Sequence, residues 1–284
     1  MLANPQAAAG PLRVNEAVCF SDAQGQLKAS VEKAQRKLLA KAEPLLQPIL
    51  ESGEEVLYAV NAMTPYSVME FLTTSWMITL VKSCLLVVTH RRILHLPITA
   101  SQRLRGSISE IRYGDLQRIT VEGALGKRLV VQYANGKKER FTLYGRGDAA
   151  KLGVLVAQVT PGVEPTGDPG RHFLCPRCAR RLHQGEEQCP VCGFAFKTRQ
   201  RALFWSVIAP GGGYFYTGHP GFGIMDALTE TVLLVVLIVG IIGGLNGDAE
   251  SWTMAGVMGV ALALEKLLSV YHANHYVAEF LPAG

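Results

Sequence analysis

Four cysteines, Cys175, Cys178, Cys189 and Cys192, stand as Cys-Pro-Arg-Cys, a ten-residue spacer and Cys-Pro-Val-Cys-Gly. Two Cys-x-x-Cys turns bring a pair of thiolates to one ion from each side, and this is the donor set that tetrahedral Zn²⁺ takes. Each proline fixes φ within its turn. Gly193 lets the chain return closely after the second pair, whereas Ala179 holds the equivalent place after the first. The stretch is too short and too polar to build a core, so a metal has to replace one. Two disulfides would need an oxidising compartment, and the remaining cysteines, Cys19 and Cys84, suggest no further pairing. A redox Cys-x-x-Cys normally opens a helix in a βαβ unit, and the flanking sequence does not look like one. A catalytic zinc keeps one position open for water, whereas four cysteines close the shell. The expectation is one structural Zn²⁺ that holds a fold and performs no chemistry.

The net charge of +5 on 284 residues is concentrated around this motif. Between Arg171 and Arg201 seven Arg and Lys face only Glu186 and Glu187, so this stretch carries the whole excess. A basic stretch on such a ribbon can mean nucleic acid. Next to a hydrophobic segment it more often marks a cytoplasmic membrane flank, and hydrophobic segments follow directly. From Phe222 to Leu245 the polar side chains are Asp226, Thr229, Glu230 and Thr231, and residues 232–244 have none. At about 1.5 Å per residue this stretch exceeds the ~30 Å of a bilayer core. A five-residue acidic break, Asn246 to Glu250, leads to a second apolar stretch, from Trp252 to about residue 272. The alternative is a buried hairpin of a soluble domain, for which Asp226, Glu230, Glu265 and Lys266 argue. All four can instead lie toward one end of a membrane hairpin, where Lys can snorkel. Lys197, Arg199 and Arg201 precede the pair and its loop has no Lys or Arg, so the positive-inside rule places both termini in the cytoplasm.

Residues 202–217 form a shorter apolar element that Pro210 and glycines 211–213 interrupt. The run Pro210-Gly-Gly-Gly-Tyr-Phe-Tyr-Thr-Gly218, with Gly221 and Gly223 before a helix, resembles small bacterial membrane modules of the TM2 type. That resemblance implies a membrane module over residues 202–280 in a bacterial inner membrane, but no agreed activity.

Residues 1–26, rich in Ala, Pro, Gly and Gln, read as a disordered tail, not a signal peptide. Residues 27–52 show helical spacing of Leu27, Val31, Ala34, Leu38, Ala42 and Leu45, with Pro44 and Pro48 to kink or end the helix. Beyond Glu54 the period changes to two. It predicts strands at 55–61, 84–90, 92–97, 107–112, 119–122, 128–134 and 138–143, a hairpin at Asn135-Gly136, and a closing helix over 149–159. Residues 161–171 read as a linker and 172–198 as the zinc ribbon. The runs Gly53-Glu-Glu-Val-Leu57, Leu86-Val-Val-Thr-His-Arg-Arg-Ile-Leu94 and Ser107 to Ile119 resemble bacterial pleckstrin-homology-like domains of the YokE and GRAM kind, over residues 53–160. The expected fold class is therefore multidomain: a PH-like antiparallel β-barrel or sandwich with a C-terminal helix, a zinc ribbon, and an α-helical transmembrane hairpin. The apolar insertion from Tyr66 to Val81 departs from the family pattern and reads as a packed loop, helix or strand, with contact to the bilayer as the alternative.

The PH-like resemblance implies a non-catalytic binding module for lipid headgroups or a protein segment. Arg91, Arg92, Arg103 and Arg105, with His90, form its densest basic group, and guanidinium groups recognise phosphate bidentately. The competing expectation is that Arg91 and Arg92 sit at a turn, one solvated and one paired with a carboxylate such as Glu110 or Asp115. Two further function classes stay open. One is a membrane-tethered regulator whose ribbon binds nucleic acid through Arg177, Arg180 and Arg181. The other is an intramembrane enzyme or transporter accessory subunit using Asp226, Glu230, His219, His272 and His275. No known catalytic spacing supports the last.

Overall fold

The computed structural model describes residues 12–66, 68, 70–71, 78–99, 101–123, 128–159, 161–162 and 167–283. They divide into two compact units, one running to His183 and including Cys189–Phe194, the other comprising Gln184–Gln188 and Ala195–Gly284. Half of the Tyr66–Val81 insertion, residues 67, 69 and 72–77, lies outside the described residues.

In the first unit the alternating segments become β1 (Val56–Met63), β2 (Ser83–Thr89), β3 (Arg92–Pro97), β4 (Ile108–Arg112), β5 (Leu116–Glu122), β6 (Arg128–Tyr133) and β7 (Lys138–Leu143). The cysteine region adds β8 (His172–Leu174) and β9 (Arg181–Leu182). All nine make one antiparallel sheet in the order β5-β6-β7-β1-β2-β3-β4-β8-β9. The sheet is open, with β5 and β9 at its ends, so of the expected barrel or sandwich the closed barrel does not form. Its corner is the brief pairing of β1 with β7, Ala62 opposite Leu143 and Met63 opposite Thr142. Side chains from both sides of that corner share a core that includes Val60, Leu86, Ile111, Leu129, Val131 and Phe141. Leu152 and Val156 of the closing helix, Arg146–Ala157, complete it.

The other face of β1–β4 is covered as well. A helix over Ala29–Leu46, following a one-turn helix at Glu16–Cys19, buries Gln35, Leu39, Ala42 and Leu46. These join Val87, Leu94, Leu96 and Ile108 in a second core. With both faces buried, β3 loses all alternation of exposure and β2 is buried from Cys84 onward. Among the described residues of this unit we label, in chain order, the α-helices α1 (Glu16–Cys19), α2 (Ala29–Leu46), α3 (Ile78–Val81) and α4 (Arg146–Ala157).

Residues 12–26, expected as tail, are structured, and β1 supplies the reason. Because β7 covers only the end of β1, the edge at Val56–Asn61 would present bare backbone groups to a buried interior. Val56 N–H donates to the Arg13 carbonyl and Asn15 N–H to the Val56 carbonyl, at 3.0 and 2.9 Å. The Gln35 side chain takes both groups of Ala59, accepting from its N–H at 2.9 Å and donating to its carbonyl at 2.8 Å. Cys19 and Phe20, adjoining this plug, are buried.

The cysteine ribbon is not a free-standing domain beyond a linker. β8 pairs with β4, Ile108 opposite Leu174 and Glu110 opposite His172. The expected linker is tied at both ends: Gly162 N–H donates to the Tyr113 carbonyl, and Asn135 Nδ2 donates to the Pro169 carbonyl.

The second unit is helical: α5 (Arg199–Ile208), α6 (Gly212–Tyr216), α7 (Pro220–Leu245) and α8 (Ala249–Val277). Pro210 and Gly211, the latter at φ +66°, separate α5 from α6, and α7 with α8 forms an antiparallel hairpin. Gly240 and Gly244 are buried because Ala255 and Trp252 of α8 approach where a side chain would stand. Both helices are long and apolar enough to cross a membrane.

Gln35→Leu should leave both Ala59 backbone groups buried and unpaired, at roughly 1–3 kcal/mol each. Urea unfolding of the variant should show a loss of about 2–4 kcal/mol. An unchanged midpoint would mean that the β1 edge is held by other contacts.

Candidate functional sites

The β2–β3 turn puts two adjacent arginines in opposite environments. Arg91 is exposed and bonds Glu51 at 3.0 Å. Arg92, the first residue of β3, is 2% exposed and its guanidinium is fully engaged. Nε and Nη2 grip Glu54 at 3.0 and 2.7 Å, Nη1 meets Glu110 at 2.5 Å, and Nη2 also donates to the Ile49 carbonyl at 2.9 Å. Glu54 and Glu110 are themselves almost wholly buried. Thr89 Oγ1 and the Glu51 N–H donate to Glu54, while Arg112 and Arg181 donate to Glu110. Burial pushes both carboxyls toward higher pKa, but the Arg92 contacts, with Arg181 on Glu110, outweigh it and hold both below the ordinary value of 4.5.

Arg92 therefore cannot reach an outside phosphate. Arg103 and Arg105 lie beyond Pro97, at the other end of β3 from Arg91 and Arg92. A six-residue strand spans about 17 Å, so the four arginines do not converge on one headgroup. The pairing of one turn arginine with Glu110 holds; the clustered phosphate site does not. Arg181, one of three arginines proposed for a nucleic-acid face, instead bonds Glu110 at 2.7 Å.

The sequence also gave no signal for His95. It is buried in β3, with Thr64 Oγ1 2.7 Å from Nε2 and Ser109 Oγ 3.2 Å from Nδ1. Burial, then the nearby charges of Arg171 and Lys82, lowers its pKa well below 6.5, so the ring is neutral at physiological pH.

The four ribbon cysteines come together as their spacing predicts. Their sulfurs lie within 4.8 Å of one another, with Cys175–Cys192 and Cys178–Cys189 at 3.5 Å. None of the four is in a disulfide. Four thiolates about 2.3 Å from a central ion stand about 3.8 Å apart at tetrahedral angles, so the residues fit such a metal. Each knuckle closes alike: Ala179 N–H donates to the Cys175 carbonyl and Gly193 N–H to that of Cys189, with both residues at positive φ, +59° and +70°. Burial raises Cys175 and Cys178. At Cys189 burial acts in the same direction but the backbone N–H groups of Cys192 and Val191 prevail, lowering it to about 7.

In the second unit Asp226 and Glu230 of α7 meet Glu265 of α8, with one oxygen of each within 4.8 Å of the others. Lys266 bonds Glu230 at 2.6 Å and the Ser206 carbonyl at 3.0 Å, and Ser269 donates to Asp226 at 2.8 Å. The histidines proposed with these carboxylates lie in other contacts. His272 Nδ1 is 2.6 Å from the Tyr214 hydroxyl, and His219 stacks on Tyr276 at 4.0 Å. His275 lines a separate cavity of about 480 Å³ with Lys197, Arg199 and Asn274.

No protein-family model matches this chain. No curated protein matches it either. Among solved structures it is similar to the C-terminal domain of an unknown protein from Leishmania infantum, at 16% identity over 45% of this chain and 96% of that one. The TM-score of 0.28 is too low to bear on fold or function.

Replacing Arg92 with Met should strand Glu54 and Glu110 as buried, unmatched charges, at about 3–5 kcal/mol. Chemical denaturation measures this. In the parent, both carboxyls have depressed folded pKa values, so their stabilisation is present above the unfolded value of about 4.5 and is lost as pH falls through the folded values. Arg92→Met should lose stability at pH 7 and show a weaker acid limb below pH ~4.5. Equal acid limbs in parent and variant would contradict this assignment.

Proposed function

We propose that this protein is a membrane-anchored, non-catalytic scaffold or sensor of a bacterial inner membrane, with its β unit, ribbon and both termini on the cytoplasmic side. The observation that carries the anchoring is how little of the hairpin the chain itself covers. Only 17% and 11% of the most apolar windows of α7 and α8 are buried, whereas the core helix of a soluble domain would be mostly enclosed. Leu228, Val232, Val239, Leu245, Val260 and Leu267 each expose more than half of their surface. In water so continuous an apolar surface is strongly unfavourable; in hydrocarbon it is solvated. Lys197, Arg199 and Arg201 before the hairpin and a loop without Lys or Arg support the orientation.

The PH-like resemblance supports a recognition role for the β unit, toward a protein partner or lipid surface. Tethering raises the effective concentration of targets near the bilayer, so a weak contact suffices. A protein partner is the better match, because the arginines proposed for a headgroup are separated along β3 and Arg92 is consumed internally. Zn²⁺ is the metal we assign to Cys175, Cys178, Cys189 and Cys192, from the all-thiolate donor set and their spacing. When bound it supplies a structural crosslink. Nucleic-acid binding is disfavoured by the engagement of Arg181 with Glu110.

Expressed at full length, the protein should sediment with membranes, resist an alkaline wash and enter solution only with detergent. Recovery in the soluble fraction without detergent would sink the anchoring. Elemental analysis of the purified protein should find one zinc per chain. Cys175→Ser should abolish it and raise hydrogen exchange in β4 together with the ribbon, since β8 pairs with β4. Zinc retained in that variant would remove the assignment.

A further inference from the structure

The polar end of the helical hairpin holds an excess of negative charge that its own side chains do not balance. Asp226 and Glu230 stand one turn apart on α7, and Glu265 faces them from α8. Lys266 supplies one positive charge, through Glu230 Oε2. Among the described residues no cation pairs with Asp226 or Glu265, so with all three carboxylates ionised the group carries two uncompensated negative charges.

A second observation points to what completes it. Glu230 is 2% exposed, and its Oε1, shielded from solvent, has no hydrogen-bond partner among the described residues. Oε2 of Glu265 is buried too, and the side chains beside that carboxylate are those of Asp226 and Glu230, which as ions have no proton to donate. Buried carboxylate oxygens are normally satisfied by a donor or a cation, because leaving them bare costs several kcal/mol. Here two such oxygens belong to carboxylates that already converge. The three donor oxygens lie within 4.8 Å of one another, no farther apart than two ligands on opposite sides of one Ca²⁺ with oxygen bonds of about 2.3–2.6 Å. All-oxygen donors favour a hard divalent ion over the soft metals that thiolates select.

We propose that Asp226, Glu230 and Glu265 form a binding site for a hard divalent cation of the Ca²⁺ or Mn²⁺ class, at the end of the hairpin away from its loop. Two positive charges match the two left over after Lys266, and Ser269 orients Asp226 by its 2.8 Å hydrogen bond. The ion would join α7 to α8 where the glycine contacts at Gly240 and Gly244 do not reach. Its role is thus distinct from that of the ribbon metal, which uses sulfur donors in the other unit.

The test uses the full-length, zinc-loaded protein in phosphatidylcholine nanodiscs, with Mn²⁺ as probe and electron paramagnetic resonance to count bound ions. One Mn²⁺ per chain, displaced by Ca²⁺, is expected, with affinity at least tenfold weaker in Glu265→Gln and in Asp226→Asn. Thermal melts without added cation identify a variant that has lost its fold; the partly exposed positions of Asp226 and Glu265 make two independent variants available. Mn²⁺ binding no greater than to empty nanodiscs, or equal in parent and both folded variants, overturns the proposal. So does a protonated-carboxyl infrared band, lost in Glu265→Gln, that persists at saturating Mn²⁺, because protons would then neutralise the group.

Discussion

The buried contact of Arg92 with Glu54 and Glu110 is the interaction on which the first unit depends. Through Glu54 it holds the turn between α2 and β1, through Ile49 the end of the helical segment, and through Glu110 the strand β4. Glu110 then passes the connection to Arg181 in β9, so the ribbon and the sheet share one network of charges. Burying such ions carries a large desolvation cost, and replacement of the whole network by apolar groups need not destabilise. What the network does impose is geometry. A guanidinium with fixed donor directions cannot satisfy two carboxylates and a carbonyl unless all four segments stand in register.

That requirement explains why a unit with an open sheet is nevertheless closed to water. One core lies inside the bend between β1–β4 and β5–β7, and a second lies beneath α2 on the opposite face. Between them β1 is left with an edge that β7 does not cover, and residues 13–15 with Gln35 supply the missing backbone partners. The N-terminal segment is held by these hydrogen bonds and by Cys19 and Phe20, which join the second core.

The second unit solves a different problem. Its hairpin packs through small residues near the loop and through charged residues near the other end, while large aliphatic side chains point away from the helix pair. Polar and small side chains thus meet between the two helices, and the outward faces are apolar.

Features that depend on local period and spacing were legible along the chain. Alternation located seven strands, helical spacing located α2, hydropathy located α7 and α8, and the two Cys-x-x-Cys turns located the four cysteines that converge. Only the tertiary structure separated Arg91 from Arg92, because the partners that bury Arg92 lie 38 and 18 residues away along the chain. It alone joined the ribbon to β4, ordered residues 12–26, and brought Glu265 to Asp226 and Glu230. The physical reason is the same in each case. Periodicity records which way neighbouring side chains point, whereas charge pairing, edge capping and ligand convergence are settled by which distant segments meet.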